Sequence, residues 1–85
     1  PNPFNPTTTI AYELGGSLAV AVKLVIFDVR GRHVATLVDG TVEPGQHQIL
    51  WNGRNQAGLP VASGTYFSQL QWRGQAQTRP LSLVK

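Results

Sequence analysis

Four carboxylates and two histidines are the side chains here that could move protons or hold a metal: Glu13, Asp28, Asp39, Glu43, His33 and His47. A paired-carboxylate hydrolase needs two acids facing each other across a cleft. Asp28, Asp39 and Glu43 instead stand at strand ends or among turn-forming residues, where carboxylates solvate a loop, and they read as turn residues. His33 and His47 fall on different strands and match no HxxxH, HExxH or Cys/His pattern, so their spacing gives metal ligation no support. Ser17, Ser63, Ser68 and Ser82 lack a nucleophile-elbow sequence. Neither "GRHVATLVDG" nor "GLPVASG" has the spacing of a phosphate loop. The sequence therefore predicts no catalysis, no metal and no cofactor.

Two binding chemistries call for separate weighing. The segment "NGRNQAG", Asn52 to Gly58, could be a calcium loop, but a hard cation wants several carboxylates and this loop offers only amides and carbonyls. Turns held by asparagine side chains and glycines are the better account. Trp51, Trp72, Tyr12 and Tyr66 could form a sugar-stacking platform, as on carbohydrate-binding modules. A chain this small needs its large aromatics inside, because each buries roughly 150–250 Å². Trp51 and Tyr66 are expected in the core, and Trp72, beside Arg73-Gly74, is expected to be partly exposed.

The elements that must carry these residues follow from size and pattern. The chain has 85 residues, enough for one domain and one thin core. It has no cysteine, which excludes a disulfide framework and a thiolate metal site. The net charge of +3 comes from seven scattered basic residues, and nucleic-acid binding needs a clustered basic face. No apolar run reaches the roughly 18 residues of a membrane-spanning helix. No leader pattern opens the sequence either, so a signal peptide, if the parent protein is exported, is expected upstream.

Period-two alternation dominates and helical periodicity is missing. In "TTTIAYEL", Ile10, Tyr12 and Leu14 share one face, and Gly15-Gly16-Ser17 ends the strand. "LAVAVKLVIFDV" places Val20, Val22, Leu24 and Ile26 on one face and reads as a central strand. A turn at Gly31 leads to a strand over Arg32–Val38, making a hairpin. "DGTVEPGQ" reads as a turn-rich connector, "HQILW" as a short strand, and "NGRNQAGLPVASG" as a long structured loop. "TYFSQLQW" and "AQTRPLSLVK" form the last two strands around Arg73-Gly74, with Pro80 predicting a sheet edge. The expected fold is all-β: a small antiparallel immunoglobulin-like β-sandwich of about seven strands.

Several segments in this order resemble a known family: "PNPFNPTTTIAYEL", "VKLVIFDVRGRHVATLVDG", "PGQHQILWNGRNQAGLPVASGTYFSQL" and "TRPLSLVK". They are similar to the C-terminal type A sorting domain of the bacterial type IX secretion system. They are also similar to the immunoglobulin-like domain of the flagellar hook-capping protein, chiefly through "WNGRNQAGLPVASGTYF". The resemblance implies residues 1–6 as a proline-rich collar and 7–85 as a β-sandwich sorting domain at the end of a larger exported protein. It implies passage through the periplasm to the cell surface or medium. The implied partners are the outer-membrane secretion machinery and a cargo domain N-terminal in the same chain, with no nucleic acid and no transmembrane segment.

By the same resemblance, Leu81, Ser82, Leu83, Val84 and Lys85 form the terminal segment that the translocon recognises. Pro3, Phe4, Pro6, Gly31, Arg32, Trp51, Gly53, Gly58, Gly64 and Tyr66 occupy the family's structural motif positions. The chain departs from the pattern in having Asn52 and Asn55 where relatives carry aspartates, and Gly15-Gly16 where a proline is common. Two other readings remain open on sequence: a carbohydrate-binding accessory module of a secreted glycoside hydrolase, and an immunoglobulin-like structural spacer. The collar "PNPFNP" reads as a semi-rigid spacer, with Phe4 expected to tuck against the sandwich.

Overall fold

Wherever the apolar alternation is sustained, the chain forms a strand. The structure is a computed structural model and describes residues 7–85. Pro3, Phe4 and Pro6, and with them the expected packing of Phe4, lie outside the described residues. The strands are β1 (Thr8–Leu14), β2 (Val20–Phe27), β3 (His33–Val42), β4 (Gly45–Trp51), β5 (Gly64–Trp72) and β6 (Gln75–Leu83). Described residues form no helix, and the strands number six, one fewer than expected. They make two antiparallel sheets, β1-β4 and β3-β2-β5-β6.

β2 lies inside the larger sheet because it is apolar on its inner face and rich in β-branched residues. Val22, Leu24 and Ile26 of that face are almost completely buried. Across from it, β3 carries two register irregularities, so Leu24 faces Val38 while Val25 faces Thr36, and Ile26 faces Ala35 while Phe27 faces His33. Each leaves one extra residue on β3, Leu37 and Val34. Such bulges interrupt strict alternation, and adjacent Val34 and Ala35 are accordingly both buried.

β3 also runs farther than its composition suggests. Asp39-Gly40-Thr41-Val42 reads as the start of a connector, yet these residues pair with Lys23, Val22, Ala21 and Val20. An available partner strand outweighs weak local β-propensity, and Asp39 stands opposite Lys23 within a strand instead of at a turn. The connector shrinks to Glu43-Pro44, where the chain crosses from one sheet to the other. The His47 ring Nε2–H donates to the Glu43 carbonyl at 2.7 Å and ties that corner.

The core lies between the sheets. Ile10 and Leu14 of β1 and Trp51 of β4 pack onto Val22, Leu24 and Ile26 of β2, Tyr66 and Leu70 of β5, and Leu83 of β6. The most buried large side chains are Trp51, Leu24 and Ile26. β6 is an edge strand and carries Pro80 there, as expected of a residue with no amide hydrogen to give. The other edge, β3, is covered by the loop after β4: the Gln56 amide donates to the Val34 carbonyl at 2.8 Å, and the Thr36 amide donates to Gln56 Oε1 at 2.7 Å.

Candidate functional site

The carboxylates are dispersed. Glu13, Asp39 and Asp28 each line a different surface cleft. None of these three clefts has the facing pair that glycoside hydrolysis requires. Among the described residues, no three His, Cys, Asp or Glu side chains gather as metal ligands. His33 Nε2 lies 2.9 Å from Thr36 Oγ1, and His47 stacks on Tyr12 with ring centroids 5.3 Å apart.

Asp28 has a structural task that its place beside turn residues only hinted at. Its Oδ1 accepts the amides of Arg30 and Arg32, each at 2.9 Å, while its Oδ2 accepts the Arg32 Nε–H at 2.8 Å. Backbone bonds from Gly31 to Asp28 and from Asp28 to Arg32 close the same turn. Gly31 sits at φ 78°, a conformation that favours glycine. The Arg32 backbone amide, with the Arg32 side chain and Arg30 amide adding to it, holds the Asp28 carboxyl below its usual range. Gly31 and Arg32 therefore belong to one hydrogen-bonded turn. The spacing of Asp28 from Gly31-Arg32 is the signal that sequence reasoning missed.

Trp51, Gly53 and Gly58 belong to a second such unit. The Trp51 indole Nε1–H donates to the Arg54 carbonyl at 3.0 Å. Asn52 Oδ1 accepts the Arg54 amide at 3.2 Å, and Asn55 Oδ1 accepts the amides of Ala57 and Leu59 at 3.0 Å. Arg54 Nη1 donates to the Gly58 carbonyl at 2.8 Å, and the Val61 amide donates to the Gly53 carbonyl at 3.0 Å. The asparagine oxygens and glycine carbonyls that a cation would need are bonded to the loop itself. Asn55 performs this capping without a charge, so an aspartate is not required for it.

Tyr66 completes the unit. Its ring meets Trp51 edge-on at 5.0 Å and 72°. Its hydroxyl donates to the Ala62 carbonyl at 2.6 Å, a bond back to the chain just upstream like that of a tyrosine corner. Burial, and secondarily the Asp28 charge, raises its pKa above the ordinary value. Both aromatics are in the core, and Trp72 is half-buried. Gly64 begins β5 directly opposite Leu83.

The terminal segment alternates. Leu83 is buried, Leu81 is half-buried against the core, Ser82 and Lys85 are exposed, and Val84 is 78% exposed. Leu81 pairs with Tyr66 and Ser82 with Thr65, and the Lys85 amide donates to Ser63 Oγ at 3.2 Å. The strand is thus held by one neighbour, β5, and by two inward leucines.

Known proteins bear on this geometry. A search of curated proteins returns no match. Among solved structures, FlgD from P. aeruginosa superposes with a TM-score of 0.71 at 21% identity, over 94% of this chain and 61% of that one. At that identity the likeness shows the fold, and the chain spans less than two thirds of the protein that it matches. The family model of the FlgD Ig-like domain matches residues 5–76, which include both hydrogen-bonded units and end before the terminal segment. By that match, supported by the sandwich itself, the chain belongs to the FlgD Ig-like domain family.

Proposed function

We propose that this immunoglobulin-like domain is a non-catalytic module of a larger exported protein and serves as its type IX sorting module, with the end of β6 as the recognised feature. The observation that supports this most is the exposure of Ser82 on, and Val84 and Lys85 just beyond, an edge strand anchored by Leu81 and Leu83. An edge strand can offer its unpaired backbone and alternate side chains to another sheet. The partner in this reading is the outer-membrane secretion machinery, and the cargo lies N-terminal to the domain.

The packing of Leu83 dictates how to test this. Deleting residues 81–85 would remove a core side chain and confound folding with recognition. Val84→Asp combined with Lys85→Glu changes only exposed groups. Fused behind a periplasmic reporter in a host with the type IX machinery, the parent domain should deliver the reporter to the surface or medium. The double variant should fail to do so at unchanged melting temperature. Equal delivery by both would sink terminal recognition.

A passive immunoglobulin-like spacer is the second reading. It is favoured by the family match and by the use of Arg32, Trp51, Gly58 and Tyr66 in structural hydrogen bonds. Delivery that survives removal of the whole domain would select it. The carbohydrate-binding reading is left with half-buried Tyr12 and Trp72, because Trp51 and Tyr66 are committed to the core.

A further inference from the structure

The two sheets are unequal: two strands lie over four. β4 is joined to β3 by the two-residue corner at Glu43-Pro44, and its following loop runs along β3. β1 lies towards the other side, because the Gly16 position that follows it meets the Arg73 guanidinium of the β5-β6 turn. The outer edge of β1 therefore faces across β6, where the smaller sheet has no further strand among the described residues.

β6 is built differently under that gap. Residues paired across β5 and β6 share a face, so Gln77 and Arg79 lie on the inner side with Leu70 and Ser68, just as Leu81 lies with Tyr66. Leu81 and Leu83 are covered, while Gln77 and Arg79 are exposed. Between the smaller sheet and this polar stretch lies a cleft of about 390 Å³, with Tyr12, His47, Ser68, Gln77 and Arg79 in its lining. Its one carboxylate, Glu13, is on the opposite face of β1 from Tyr12. The only ion pair among the described residues joins Arg32 and Asp28, so Arg79 has no acidic partner there.

Among the described residues, Glu13 is the one edge-blunting group on β1. β1 pairs with β4 through seven positions in unbroken register, and it carries no proline, lysine or bulge that would deter another strand. β6, in contrast, has Pro80, and β3 has the Gln56 loop.

We propose that the open edge of β1 accepts an extended acidic segment of a partner protein, which adds as a third strand and lays an acidic side chain against Arg79. Backbone pairing supplies affinity and the inward side chains supply selectivity. Charge complementarity selects this occupant over a second copy of the domain. A neighbouring β1 would bring Ile10, Tyr12 and Leu14 over Gln77 and Arg79, apolar groups onto polar ones. This surface is independent of the sorting role assigned to the end of β6.

Titration of the isotope-labelled chain with an alternating Thr/Glu heptapeptide, and with its Thr/Lys counterpart, tests it by NMR. The acidic peptide should slow amide exchange along residues 9–13 and shift Gln77 and Arg79, and the basic one should not. Arg79→Gln should weaken the acidic peptide roughly fivefold, as loss of one partly screened ion pair would. Arg79→Glu should transfer the preference to the basic peptide, with circular dichroism unchanged for both variants. Equal response to both peptides, no shift up to millimolar peptide, or β1 protection that tracks dimer formation would overturn the proposal. So would the same shifts produced by a cello-oligosaccharide in place of the peptide.

Discussion

At the scale of single residues, the side chains that first suggest chemistry turn out to satisfy the backbone. Asp28 accepts three hydrogen bonds from Arg30 and Arg32 in a turn that Gly31 closes. Its carboxyl is held below the usual range in the folded chain. The sign of the linkage follows. A depressed carboxylate stabilises the fold above its unfolded pKa, and that contribution fades as pH falls through the folded pKa. Asp28→Asn should therefore lower the melting temperature at neutral pH. The same variant should lose less stability than the parent between about pH 5 and pH 2, the span over which such a carboxylate titrates. Thermal unfolding across that range checks both statements. A parallel acid limb in parent and variant would show that the charge of Asp28 contributes nothing to the fold.

At the scale of elements, the sequence was most legible where one rule acted alone. Alternation marked β1, a long apolar run rich in β-branched residues marked β2, and the proline at position 80 marked an edge. It was least legible where local chemistry competed with an available partner. Asp39-Gly40 looks like a turn, but β2 had four positions left to pair and drew those residues into β3. The bulges at Val34 and Leu37 depend on a register that no local pattern specifies. Among site residues, the burial of Trp51 and Tyr66 and the asparagine-held turns were legible from size and residue type. The reach of Arg73 to Gly16 was not, because it joins two turns far apart in sequence.

That clasp supplies an element-scale prediction. Gly16 sits at φ 91°, and a Cβ there would meet Arg73 Nη2 at 3.0 Å. Gly16→Ala should cost about 1–2 kcal/mol through the left-handed backbone. Gly15→Ala next to it, with nothing within 4 Å of its Cβ and no positive φ, should be neutral or slightly stabilising. Denaturant midpoints for the two variants make the comparison. Equal midpoints would mean that the β1-β2 turn adjusts freely and does not fix β1 over the β5-β6 side.

At the scale of the whole molecule, a domain of this size has a total stability of about 4–13 kcal/mol, so one core residue matters. Leu83 is 2% exposed near the end of an edge strand, where fraying is otherwise cheapest. Leu83→Ala should cost about 2–5 kcal/mol, a large share of the total, whereas Val84→Asp next to it should stay within about 0.5 kcal/mol. The contrast separates two ways in which β6 could be read. If a partner reads the packed strand from outside, Val84→Asp impairs delivery and Leu83→Ala impairs it only through global unfolding. If a partner captures the strand after it detaches, Leu83→Ala lowers the cost of detachment and raises delivery at temperatures where the rest stays folded. Amide exchange supplies the missing axis: β6 should exchange faster than β2 in the parent, and Leu83→Ala should widen that gap. A β6 that exchanges only with global unfolding would exclude capture of a detached strand and leave recognition of the packed edge.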